Sequence, residues 1–220
     1  MDISIFLDLA ELFEKYGKKL YMIGGTSRDF LLGRAIEDFD LVTDAIPSDL
    51  RTILPDADFT FSHYGTIRLK RQGKRVDIVT LREEKLYKDH RHPSSVSFVS
   101  DIEKDYSRRD FTINALYIDA AQRVYDFTGG VNDLEKRIIR TIGEPNVRFQ
   151  EDPLRMLRAL RFHLKLHFEI EPNTLQAIKN NWDLLGLLQP SKVNEELTKL
   201  RSIDAEQAET LLKTFGKIGS

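Results

Sequence analysis

Apolar residues at Ile5, Leu7, Leu9, Leu12 and Phe13 follow helical spacing and predict a helix from Ile5 to Tyr16. Leu20-Tyr21-Met22-Ile23 is a short unbroken apolar run and reads as a strand. Gly24-Gly25 breaks that run. Ser27 to Leu32 then reads as the start of a helix, closed by Gly33. A second strand is expected from Asp38 to Thr43, and a short helix from Ser48 to Leu54 with Ser48 near its N-cap. Gly65 to Lys70 and Arg75 to Leu81 flank Gln72-Gly73, the pattern of a β-hairpin. The polar stretch from Arg82 to Ser107 reads as a mobile loop. Asp110 to Ala115 either begins a helix or lies against the sheet, and Leu116 to Asp119 and Val124 to Asp126 are strand candidates. After Gly129-Gly130 helices dominate. The pattern therefore predicts an α/β N-terminal part over residues 1–140, a mixed sheet with helices, and an all-α C-terminal part over residues 141–220.

Composition narrows the chemistry. With no cysteine, disulfides and thiolate zinc sites are excluded. The first residues lack a basic segment followed by an apolar run, and no stretch approaches eighteen uninterrupted apolar residues. Neither a secretory signal nor a membrane span is expected, and these absences point to the cytoplasm. Net charge is −2, which by itself does not suggest a nucleic-acid binder. Between Lys136 and Lys165, however, eight basic residues face three acidic ones, a surplus of five. Such a surplus either binds phosphates or is a solvated helix face.

Several constellations carry candidate chemistry. Asp38 and Asp40 bracket Phe39, and strand alternation sends both carboxylates to one face. Two like charges so placed are either an exposed acidic turn or ligands for a hard divalent cation such as Mg²⁺. Asp77 lies between Val76 and Ile78 and faces away from both. It joins the acidic pair if its strand lies beside that of Asp38; otherwise it is an edge-strand surface charge. Gly24-Gly25-Thr26-Ser27-Arg28-Asp29 links a strand to a helix, where backbone N–H groups of Gly25 and the Arg28 fork suit a phosphate. Arg108-Arg109-Asp110 offers two phosphate partners and an acceptor for a ribose hydroxyl, or else a capped helix start. From Glu151 to Phe162, Pro153 suits a first helical turn, and Asp152, Arg155, Arg158 and Arg161 step around one side. Asp152 and Arg155 either read the edge of a base or form an ion pair within the helix.

Taken in order, these stretches resemble the class II tRNA nucleotidyltransferases, which include CCA-adding enzymes and bacterial poly(A) polymerases. The resemblance rests on Gly24 to Asp29, Asp38-Phe39-Asp40, Arg108 to Ala115, Asp126-Phe127-Thr128-Gly129-Gly130 and Glu151 to Arg155, and runs from about Leu20 to Leu200. It implies a polymerase-β-like head and a helical neck. It also implies catalytic Mg²⁺ on Asp38 and Asp40, with Gly25 and Arg28 at the triphosphate. Arg109 would meet nucleotide phosphate and Asp110 the ribose. Asp152 and Arg155 would pair with the base of CTP or ATP as a protein template, supported by Arg158 and Arg161. Asp126 and Gly130 match the motif at the head–neck junction, which couples domain movement to nucleotide choice. The implied activity is CCA addition to the tRNA 3′ end from CTP and ATP.

Lys88 to Pro93 resembles the family's flexible loop, linked to switching from C to A, and points away from an enzyme that adds only CC. A-addition alone and poly(A) polymerase activity remain open, as do a non-catalytic RNA-binding remnant and transfer to a small molecule. Ser27 stands where the family usually has an apolar residue. The family's body and tail domains are absent, so the chain is expected to be either a truncated piece or a short form with weaker tRNA binding.

Overall fold

The computed structural model describes residues 2–87 and 93–216. In chain order the elements are α1 (Ser4–Lys15), β1 (Leu20–Met22), α2 (Gly24–Leu31), β2 (Phe39–Thr43), α3 (Pro47–Ile53), β3 (Thr66–Arg71), β4 (Lys74–Thr80), β5 (Arg82–Tyr87), β6 (Pro93–Phe98) and α4 (Ile102–Asp105). There follow β7 (Leu116–Ile118), β8 (Val124–Asp126), α5 (Gly130–Glu135), β9 (Ile138–Ile139), α6 (Pro145–Glu151), α7 (Leu154–Leu166), β10 (Glu169–Ile170), α8 (Pro172–Asn181), α9 (Pro190–Arg201) and α10 (Ala205–Lys213). The chain forms two compact units. One comprises residues 1–85, 95–109 and 113–131; the other comprises 86–94, 110–112 and 132–220. No helix among the described residues is long and apolar enough to cross a membrane.

The first unit is built on a six-stranded sheet in the order β3-β4-β2-β1-β7-β8. β2 and β4 run parallel, and the other neighbours are antiparallel. Alternation along β2 and β4 sends Phe39, Leu41, Val76 and Ile78 into a core with Phe6, Leu9 and Phe13 of α1. Val42 turns the other way, into a smaller cluster with Tyr21, Ile23 and Tyr117. Asp40 and Asp77 therefore stand on the sheet face opposite α1. Gln72 and Gly73 both take positive φ, which gives the hairpin turn whose twist matches its strands.

Three local expectations are corrected. α2 begins at Gly24, so the glycine pair forms the first turn of the helix instead of preceding it. The N-cap of α3 is Ile46, not Ser48: Pro47 takes the first helical position, where its fixed φ fits, and the Asp49 carboxylate accepts the Ile46 N–H at 3.1 Å. The stretch from Arg82 to Ser107 is not one long loop, because β5 and β6 pair as a two-stranded sheet and α4 follows. Its polar side chains hid strands held by backbone pairing. The expected flexible loop, apart from Pro93, lies outside the described residues.

In the second unit α6 packs on α8 and α7 on α9, around Phe149, Met156, Leu157, Leu160 and Ile178. A short parallel ladder of β9 with β10 interrupts the helices.

Candidate active site

The acidic group is set by strand register. Asp40 lies directly opposite Asp77 across the parallel β2–β4 pair, so two carboxylates stand side by side on one face. β4 is an interior strand, which removes the edge-strand alternative for Asp77. Asp38 stands just before β2 and is exposed. The Thr26 hydroxyl, almost fully buried, donates to the Asp38 carbonyl at 3.3 Å and accepts the Asp40 N–H at 2.7 Å. It clamps the backbone between the two acids, a role the sequence did not reveal.

Burial, together with the neighbouring Asp77 charge, raises the Asp40 carboxyl above its ordinary range, against the Gly25 N–H that it accepts. Arginines meet the outer acids. Arg68 donates to Asp77 at 2.6 and 3.1 Å, and Arg75 lies 3.1 Å from Asp38 and 3.6 Å from Asp77. Among the described residues no three acidic or histidine side chains converge as a metal-binding group. The donor set nevertheless fits a hard divalent cation. Mg²⁺ needs only one or two carboxylates beside substrate phosphates, and a half-buried Asp40 crowded by Asp77 gains from a positive charge.

The glycine turn lies against this group. A Cβ on Gly24 or Gly25 would stand 3.4 Å from Asp40 Oδ2, which puts the turn in contact with that acid, and φ +62° at Gly24 favours glycine there. The eight-residue α2 starts here, with its first N–H groups beside Asp40. Arg28, assigned by resemblance to the triphosphate, is buried. It forks onto Asp29 at 3.0 and 3.0 Å and donates to Asn114 Oδ1 at 2.9 Å. These bonds tie α2 to the segment that carries Asn114.

Arg109 depends on a residue the sequence analysis passed over. Asp105 is fully buried and accepts from Arg108 at 2.8 Å, Arg109 at 2.7 Å, the Tyr117 hydroxyl at 2.7 Å and the Arg82 N–H at 3.0 Å. Burial opposes its charge, but the guanidiniums of Arg109 and Arg108 outweigh that and hold the carboxyl well below the usual range. Its spacing three and four residues before the arginines, on a helical turn, was the available signal.

The remaining candidates belong to the second unit. Asp110 caps its own neighbour by accepting the Phe111 N–H at 2.8 Å, and its Oδ2 accepts from Arg158 Nη2 at 2.5 Å and Nε at 2.8 Å. Burial alone would raise this carboxyl; the Arg158 charge reverses that and lowers it to about 2. Since the folded value lies below the ordinary 3.8, the stabilisation is complete above 3.8 and is lost as pH falls toward about 2. Urea unfolding of the chain and Asp110→Asn should differ clearly at pH 7 and converge near pH 2. A gap independent of pH would contradict the pairing.

Asp152 accepts the Leu154 N–H at 3.1 Å at the start of α7. Arg155 is buried, donating to the Arg148 carbonyl at 3.1 Å and to Glu151 at 3.0 Å. Arg161 reaches Glu196 at 3.2 Å. The Asp126 carboxylate accepts the N–H groups of Thr128, Gly130 and Val131 at 2.9–3.0 Å and so fixes the start of α5. The predicted residues thus fall into two sets. Asp38, Asp40, Asp77, Gly25, Arg28 and Arg109 lie in the first unit; Asp110, Asp152, Arg155, Arg158 and Arg161 lie in the second.

Comparison with known proteins identifies the family. The family described as the poly A polymerase head domain matches residues 20–140. The CCA-adding enzyme of Staphylococcus aureus is 39% identical over 219 residues, covering 98% of this chain and 55% of that protein. Among solved structures, the Bacillus stearothermophilus CCA-adding enzyme in complex with CTP is 37% identical with a TM-score of 0.82, over 91% of this chain and 49% of that one. A tRNA nucleotidyltransferase complexed with a primer tRNA and an incoming ATP analogue is 27% identical with a TM-score of 0.74, over 95% of this chain and 62% of that one. The chain spans about half the length of the curated relatives it matches. With the acidic pair, the glycine turn and the family match in agreement, the chain belongs to the class II nucleotidyltransferases that carry the poly A polymerase head domain.

Proposed function

We propose that this chain carries the nucleotide-adding centre of an enzyme that builds CCA on the 3′ end of tRNA from CTP and ATP. Residues 1–140 act as the head and residues 141–220 as the neck. The observation that carries the reading is the register that sets Asp40 beside Asp77 against the glycine turn. Asp38 and Asp40 would hold the divalent cation, with Asp77 alongside as the third acid of the reaction. Bound there, Mg²⁺ supplies positive charge against the reacting phosphate. The Gly25 turn and the start of α2 receive the triphosphate through backbone N–H groups. Arg28 ties α2 to the segment that carries Asn114, and Arg109, aimed by Asp105, meets phosphate. In the reaction the RNA 3′-hydroxyl attacks the α-phosphate in line; the new P–O bond forms as the bond to pyrophosphate breaks.

Asp110, oriented by Arg158, accepts from the ribose. Asp152 and Arg155 read the base edge, so that the protein serves as template, and Arg161, held by Glu196, supports the nucleotide site. Arg155 suits that role because the Arg148 carbonyl and Glu151 fix its guanidinium before any base arrives. The names of the relatives support the substrates: a CCA-adding enzyme in complex with CTP, and a tRNA nucleotidyltransferase with a primer tRNA and an ATP analogue.

The test is sequencing of tRNA 3′ ends after incubation with Mg²⁺ and with CTP, ATP, UTP or their mixtures. The expected product is CCA. Addition of A alone, or of an A tract, would favour the A-adding and poly(A) alternatives. No addition at high tRNA concentration would favour an RNA-binding remnant. Nucleotide transfer without tRNA would indicate a small-molecule acceptor. In the same assay Asp152→Ala should lower the preference for CTP over UTP by about ten- to a hundredfold, the loss of roughly 1–3 kcal/mol of base-edge contact. An unchanged preference would remove the template role.

A further inference from the structure

We propose that Arg75 is a built-in competitor of the divalent cation. It bridges Asp38 and Asp77 and must swing away before Asp38 accepts an ion. The proposal rests on the preceding reading of the acidic group as a cation site. Arg75 lies two residues before Asp77 on β4, so strand alternation gives both the same face. Its backbone N–H donates to Asp38 Oδ1 at 3.3 Å, its Nη2 lies 3.1 Å from Asp38 Oδ2, and its Nε lies 3.6 Å from Asp77 Oδ2. One guanidinium therefore spans two of the three acids.

A guanidinium carries only donors and a cation accepts only lone pairs, so an oxygen lone pair facing Arg75 is withheld from an ion. Arg68 differs, because it engages Asp77 through both oxygens and orients that acid without reaching across.

The bridge is suited to exchange. The side chains of Arg75 and Asp38 are 48% and 47% exposed, so water screens their attraction and the pair opens readily. The Arg109–Asp105 pair is the contrary case, with both partners shielded.

The test is Mn²⁺ binding to the whole chain without nucleotide, read by electron paramagnetic resonance of the free ion. Arg75→Ala and Arg75→Lys should both tighten Mn²⁺ binding about three- to tenfold, the scale of one or two exposed ion pairs. Lysine keeps the charge and loses the fork, so its effect isolates the bridge from simple electrostatics. Arg71→Ala, which removes a guanidinium paired with Asp56, should leave binding unchanged. If Arg75→Lys binds like the parent chain, the bridge is overturned, whatever Arg75→Ala does. If Asp40→Asn weakens Mn²⁺ binding while neither Arg75 variant changes it, the competitor role falls and the cation site stands. If Asp40→Asn leaves Mn²⁺ binding intact, the cation reading itself falls, and the proposal with it.

Discussion

Asp40→Asn should lower nucleotide addition about a thousandfold or more while raising the melting temperature of the ligand-free chain at pH 7. The first effect follows from removing a charged oxygen donor beside the reacting phosphate, a contribution of several kcal/mol where each 1.4 kcal/mol is about a factor of ten. The second follows from linkage. Burial and the Asp77 charge raise the Asp40 carboxyl in the folded chain above its ordinary value. A carboxyl raised on folding adds stability at low pH and loses it as pH rises through the folded value. Once ionised, Asp40 carries a net cost in the folded chain that the amide does not. The two readouts move in opposite directions, which separates a functional acid from a structural one. A variant that loses activity and melts lower would show Asp40 to be a structural support. One that stays active would remove it from the chemistry.

Asp105→Ala carries the largest expected stability effect, about 3–5 kcal/mol by urea unfolding, the cost of breaking a buried ion pair from one side. Asp105 is fully buried and is the common acceptor for Arg108, Arg109, Tyr117 and the Arg82 N–H. Its removal takes from two shielded guanidiniums the carboxylate they share, and leaves Arg108 with the more distant Glu84 at 3.6 Å. Asp105→Asn should recover little, because a neutral amide keeps the volume and loses the charge. Nucleotide addition should fall as well, since Arg109 loses the acceptor that aims it. A cost below about 1 kcal/mol would mean that water reaches these arginines and that the network is ordinary surface pairing.

How much of this was legible depended on whether a signal was local. The hairpin at Gln72-Gly73 was readable because the turn demands positive φ at two adjacent residues. The Asp38-Phe39-Asp40 pair was readable because a strand repeats every two residues. Asp77 was only half readable: its orientation followed from Val76 and Ile78, but its neighbour depended on β4 pairing with β2, across an intervening helix and strand. Arg28 looked like a free fork for phosphate, and only the fold buried it against Asn114, 86 positions away. Asp105 sat in a polar stretch with no apolar rhythm, and only its spacing three and four residues before two arginines marked it as their anchor.

The sequence by itself determined most element types outside the stretch from Arg82 to Ser107, the glycine turn, the acidic pair and the family, because backbone preference, side-chain alternation and motif spacing act over a few residues. Tertiary structure alone decided which charges stand together: Asp40 beside Asp77, Arg75 across Asp38, Arg158 on Asp110. Those pairings come from strand register and helix packing between segments far apart in the chain, where one residue of slip would turn every side chain to the opposite face.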